Sequence, residues 1–152
     1  MVIAFLMGRK GSKGFPEKNL HQVLGHSLAY YPMKAAKDCS EVDKVYISTD
    51  DERLMKLASS NKIEIIVRPP ELCTDQALGE HVYVHAYNMA KEKSKDAEIE
   101  LIVLLMCNAP TVTSDTISKG IKILRENAEY DSAVTVSKYN MWSPLRARRI
   151  GD

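Results

Sequence analysis

The sequence predicts a three-layer α/β/α sandwich around a mainly parallel, Rossmann-like sheet. Three observations lead there. Strand-like runs alternate with helix-like stretches along the 152 residues, the order that gives right-handed crossovers and a sheet covered on both faces. Several runs are apolar almost throughout rather than alternating, as in Val2–Met7 and 99–106, which suits strands buried on both sides. The first run also ends in a glycine-rich loop, at the edge where such sheets hold their ligands.

Val2–Met7 is the first strand. The next, 44–48, reads Lys-Val-Tyr-Ile-Ser, and 63–67 is mostly β-branched, both good strand compositions. The segment 99–106 is the most apolar, and 132–136 is expected to end the series. Between them, 27–37 places Leu28, Tyr31 and Ala35 at helical spacing. Pro32 inside it means that this helix starts late or carries Pro32 in its first turn. The stretch 51–61 sets Leu54, Leu57 and Ala58 on one face, and 80–95 turns Val82, Val84, Ala86, Met89 and Ala90 mostly inward. In Ser114–Glu126, Ile117, Ile121 and Leu124 point inward and Asp115 stands in the first turn, where the helix dipole favours a carboxylate.

The length fits one domain with a real core. Net charge is +1, so no broad footprint for nucleic acid is indicated. The longest apolar runs are too short to span a bilayer, and no secretory leader is recognisable. Cys39, Cys73 and Cys107 are odd in number and match no short metal spacing, so three buried, reduced thiols are expected. A reducing, cytoplasmic setting follows. No repeat, low-complexity tract or interdomain linker stands out.

The chemistry concentrates in the loop 8–19, where Gly8, Gly11 and Gly14 are interleaved with Arg9, Lys10, Lys13 and Lys18. Glycines let the backbone turn tightly and approach a ligand; bare amides with added cations suit a polyphosphate. The Walker pattern fails because Lys13 is followed by Gly14-Phe15-Pro16, and the dinucleotide fingerprint fails on glycine spacing. By composition alone an ordinary solvated loop is also possible. The segments 48–51, 68–77 and 107–111 follow later strands and would converge on the same sheet edge. Asp50 and Asp51 suit capping of the next helix better than metal binding. Arg68 by itself reads as a surface arginine before a Pro-Pro turn, and Asn108 as a turn former. His81 and His85 share a helix face, but ordinary helix residues are the better reading. Trp142 reads as a packing anchor.

The combination of Gly8-Arg9-Lys10-Gly11-Ser12-Lys13-Gly14, Pro16-x-Lys18-Asn19-Leu20, Ser48-Thr49-Asp50-Asp51 and Arg68-Pro69-x-x-Leu72-x-x-Asp75-x-Ala77 resembles the acylneuraminate cytidylyltransferases. These include the CMP-sialic acid synthetases, with the CMP-Kdo synthetases as relatives. The match runs from about Val2 to Arg146. The resemblance implies a Rossmann-like nucleotidyltransferase fold and attack of a sugar-acid hydroxyl on the α-phosphate of CTP, with pyrophosphate leaving. It implies that Arg9 and Lys18 stabilise the phosphates as the catalytic cations. Gly8, Gly11, Ser12, Lys13 and Asn19 would lie along the nucleotide. Arg68 and the Ala77 backbone would read the cytosine edge, and Asp75 would brace that loop. Asn108 and Pro110 would lie at the sugar substrate. Mg²⁺ is the implied cofactor, with protein ligands not placed in this chain, and a homodimer is the implied assembly.

Two departures qualify the resemblance. The family's fourth strand usually ends Leu-Leu-Gln-Pro-Thr-Ser-Pro-Leu-Arg, whereas here Met106 stands for the glutamine and Val112 for the arginine. Methionine cannot make the same hydrogen bonds, which opens the acceptor to a related nonulosonate. A serine expected near the cytosine is Gly79. Family members also continue well beyond this length, with the aspartates that hold Mg²⁺ and an arm that completes the dimer. Residues 1–152 are thus expected to be a nucleotide-binding cytidylyltransferase domain lacking its C-terminal part. The competing readings are a sugar nucleotidyltransferase for another base and a non-catalytic nucleotide-binding module.

Overall fold

Four strands form one parallel sheet in the order β5-β4-β1-β6: β1 (Val2–Met7), β4 (Lys44–Thr49), β5 (Glu64–Val67) and β6 (Leu101–Met106). The structure, a computed structural model, describes residues 1–11, 14–95 and 97–136. All six residues of β1 are buried, as its central place between β4 and β6 requires. Its alternate side chains serve two cores. Val2, Ala4 and Leu6 pack with Met33 and Ala36 of α1 (Tyr30–Asp38), Leu54 and Ala58 of α2 (Glu52–Ser60), and Ile117 and Ile121 of α4 (Ser114–Glu126). Ile3, Phe5 and Met7 pack with Tyr46, Ile66 and the Val82, Ala86 and Ala90 stripe of α3 (Gly79–Lys93). Three layers result, with α3 covering one face.

The expected helices are all present, but 27–37 is not helical from its start. A hairpin, β2 (Gln22–Val23) with β3 (His26–Ser27), comes first. Its turn residues Leu24 and Gly25 have φ of 48° and 84°, a left-handed pair that matches strand twist. Helix α1 then begins at Tyr30, with Pro32 as its third residue, where the missing N–H is not needed. The Asp51 side chain caps α2 by accepting from the Arg53 amide at 3.0 Å.

Three packing expectations need correction. No strand forms over 132–136, and Val134 and Val136 are exposed; β-branched composition alone does not make a strand without a neighbour to pair with. Val84 is 58% exposed, because the inward face of α3 runs through Val82, Ala86 and Ala90 at four-residue steps. Strand β6 is not covered on both faces. Its register with β1 places Ile102, Leu104 and Met106 opposite Ile3, Phe5 and Met7, on the side of α3. That helix packs over β4 and β5, so these three remain 46%, 40% and 39% exposed. Among the described residues no helix is long and apolar enough to cross a membrane.

Candidate functional site

The carboxyl ends of the strands are stitched together past the ladder itself. The Gly8 amide donates to the Ser48 carbonyl (3.3 Å), Cys107 to Met7 (3.0 Å) and Arg68 to Thr49 (3.0 Å). The loops that leave these points enclose a cleft of about 710 Å³. One wall carries Arg9, Lys18 and Asn19 from the loop after β1; the other carries Thr74, Asp75, Ala77, Gly79 and Tyr83. Arg68, Met106 and Asn108 complete it at the strand ends.

The loop after β1 is shaped by close packing and by hydrogen bonds at both arms. A Cβ on Gly8 would stand 2.7 Å from Cys107 Sγ and 3.0 Å from Leu54 Cδ1, so the chain passes there only without a side chain. Burial pushes the Cys107 thiol up to about 12, which leaves it a protonated packing group. Gly11 has φ of 77°, in the region glycine reaches without strain. The Lys10 amide donates to Asp50 Oδ1 (2.8 Å). Asn19, buried, reaches from Nδ2 to the Arg9 carbonyl at 3.5 Å and closes the loop on itself. Further out, Arg53 joins Glu17 (2.6 Å) and Asp51 (3.3 Å), tying the returning arm to α2. A smaller cavity of about 190 Å³ lies along this arm, lined by Gly11 among others. Ser12 and Lys13 lie outside the described residues, as does Trp142.

Arg68 is the largest surprise relative to its isolated reading. It is not a surface arginine but 6% exposed. Its Nε donates to Ser48 Oγ (3.3 Å) and its Nη2 to the Ser48 carbonyl (2.8 Å). Burial pulls its pKa down, opposed by the neighbouring Cys73 and Asp50; an arginine nonetheless stays charged. Among the described residues Nη1 meets no acceptor, so a buried cation presents an open donor to the cleft. Such a group favours an occupant with acceptors.

Asp75 sits opposite, and its carboxylate pairs with Arg9 Nη2. The Arg9 Nη1 also donates to the Cys73 carbonyl at 3.4 Å. The pairing links two loops that are 66 residues apart, a contact that motif spacing does not reveal. The Ala77 amide is occupied by Thr74, at 3.1 Å to Oγ1, so of its two backbone polar groups the carbonyl is the one left for a ligand. Lys18 lines the cleft and makes no ion pair among the described residues. Asn108 stands on the turn closed by Ala109 N–H to the Met106 carbonyl at 3.0 Å. Pro110 does not join the lining; it occupies the next turn, between Ala109 and Val112. Val112 packs against the core of α1 and α4, which explains an apolar residue there. Cys39 and Cys107 are buried and free, as expected, while Cys73 is only half-buried. Among the described residues no three His, Cys, Asp or Glu side chains are grouped to hold a metal. Phe15, Leu72 and Tyr83 also line the cleft; of these only Tyr83 had a readable signal, its place one helical turn after Gly79.

Sheet order and cleft together define a nucleotidyltransferase fold. The structure of a CMP:2-keto-3-deoxy-manno-octonic acid synthetase complexed with CTP superimposes with a TM-score of 0.66 at 19% identity, over 84% of this chain and 48% of that one. The cytidylyltransferase family model matches residues 3–149, and the chain belongs to that family. The N-acylneuraminate cytidylyltransferase of Escherichia coli O18:K1:H7 is 29% identical over 144 residues, 95% of this chain and 33% of the relative. That of Streptococcus agalactiae serotype III is 30% identical over 139 residues, 90% of this chain and 32% of the relative. The chain thus spans about a third of the length of these curated relatives.

Proposed function

We propose that this chain is the nucleotide-binding part of an enzyme that transfers CMP from CTP to a sugar acid, sialic acid or a related nonulosonate, and releases pyrophosphate. The observation that carries the reading is the convergence of Arg9, Lys18 and Asn19 with Arg68 and Ala77 in one cleft. The cationic wall suits the phosphates. There Arg9 offers a planar fork and Lys18 a mobile point charge. Arg9 exchanges its Asp75 partner for phosphate oxygens when the nucleotide enters. Toward the base, Arg68 Nη1 offers a donor from the strand ends and the Ala77 carbonyl an acceptor from the other wall. Cytosine presents an acceptor carbonyl and ring nitrogen beside an amino donor, which this pair complements. A base with the opposite edge would leave buried groups unmet. In the reaction the sugar hydroxyl bonds to the α-phosphorus as the bond to pyrophosphate breaks. The chain's contribution is positioning and charge stabilisation. Asn108 is the polar group available toward the acceptor sugar, beside Met106.

Two further features belong to the reading. Three free thiols fit a reducing cytoplasm. The open apolar face of β6 supports a homodimer, which sedimentation at two concentrations tests. For the nucleotide itself, the test is calorimetric titration with CTP, GTP, UTP and ATP, with and without Mg²⁺, alongside Arg9→Ala. Selective CTP binding, weakened at least about tenfold in Arg9→Ala, is the expected result. Preference for another base overturns the cytidyl assignment, and failure to bind any nucleotide overturns the reading.

A further inference from the structure

We propose that Tyr83 binds the base: its hydroxyl, lying over Gly79, hydrogen-bonds the heterocycle of the bound nucleotide. This rests on the nucleotide reading above. Gly79 opens α3 and Tyr83 follows four residues later, so the two share a helix face. A Cβ at Gly79 would stand 3.1 Å from the Tyr83 hydroxyl oxygen and 3.3 Å from Cζ. The phenol therefore occupies the space that a side chain at 79 would take. Its ring packs against the Phe5 and Val82 core, which holds it in place.

The hydroxyl itself is unmet. Tyr31 donates to the Val23 carbonyl at 2.5 Å and Tyr46 pairs with Ser94 at 3.4 Å, but Tyr83 has no hydrogen-bond partner among the described residues. A partly buried phenol ordinarily finds one, and here the cleft is the open direction. Leu72, Ala77 and Val82 give this wall an apolar stretch beside Thr74 and Asp75, while Arg9 and Lys18 stand on the other. A flat heterocycle fits the first wall and phosphates the second. A hydroxyl both donates and accepts, so it can meet either a ring acceptor or an exocyclic amine.

The experiment titrates CTP and inorganic tripolyphosphate into the wild type, Tyr83→Phe, and Tyr83→Phe with Gly79→Ser, after thermal melts confirm folding. Tyr83→Phe is expected to weaken CTP about three- to tenfold, the worth of one hydrogen bond, and to leave tripolyphosphate unchanged. The added serine, whose hydroxyl enters the vacated space, is expected to recover part of the loss. Wild-type CTP affinity in Tyr83→Phe overturns the assignment of Tyr83 alone, as does equal weakening of CTP and tripolyphosphate. A wild-type chain that binds no CTP overturns the nucleotide reading and this assignment with it.

Discussion

Gly8 illustrates how one residue can be marked for one reason and required for another. A glycine at the end of the first strand reads as ligand approach, yet the nearest obstacle to a side chain is Cys107 Sγ at 2.7 Å. Gly8→Ala is therefore expected to cost about 1–3 kcal/mol through overpacking. Cys107→Ala removes the obstructing sulfur, so the double variant is expected to be less destabilised than the sum of the two singles. Urea unfolding of the four proteins measures this; strict additivity would refute the contact as the cause. Arg68 shows the reverse limit. Its type and its place before Pro69-Pro70 were visible, but its burial on Ser48 was not, because that depends on the β4–β5 register. Arg9 and Asp75 were each visible as residues. Their pairing was not, since it joins loops brought together only by the sheet.

At the scale of elements, the parts with strong periodicity were legible and those needing a neighbour were not. Helix α2 carried both its apolar face and its cap in the sequence: Leu54 and Ala58 are fully buried and Asp51 caps it. Asp51→Ala is expected to destabilise the chain by about 1–2 kcal/mol, the upper range for a cap. The Asp51 side chain is also held by Arg53 at 3.3 Å. A midpoint shift in chemical denaturation at constant slope reports it, and an unchanged midpoint would contradict the capping role. The hairpin β2–β3 escaped notice because its strands are two residues each, too short to show alternation. The segment 132–136 had strand composition but acquires no partner, and β6 was apolar enough to look covered although one face is open. Each error concerns what lies beside an element, which local pattern does not encode.

For the whole molecule, acid sensitivity is expected to come from the attachment of α4. Near its start, Ser118 Oγ donates to Glu41 at 2.5 Å, and at its end Arg125 Nε and Nη2 hold Glu100 at 2.6 and 2.9 Å. The Ser118 hydrogen bond foremost, then that of Ser40, lowers the Glu41 carboxyl from 4.5 to about 2. The Arg125 hydrogen bond lowers Glu100 in the same direction. A carboxyl lowered on folding binds fewer protons in the native than in the unfolded chain at intermediate pH. Its stabilisation is therefore complete above the unfolded value and is lost as pH falls through the folded one. For Glu41 that window runs from about 4.5 down to about 2. Unfolding free energy measured across this range is expected to fall with pH, and less steeply in Glu41→Gln and Glu100→Gln. A slope unchanged in both variants would place the acid-sensitive groups elsewhere. Because Ile117 and Ile121 of the same helix cover the core on β1 and β6, hydrogen exchange at low pH is expected to open α4 before the central strands.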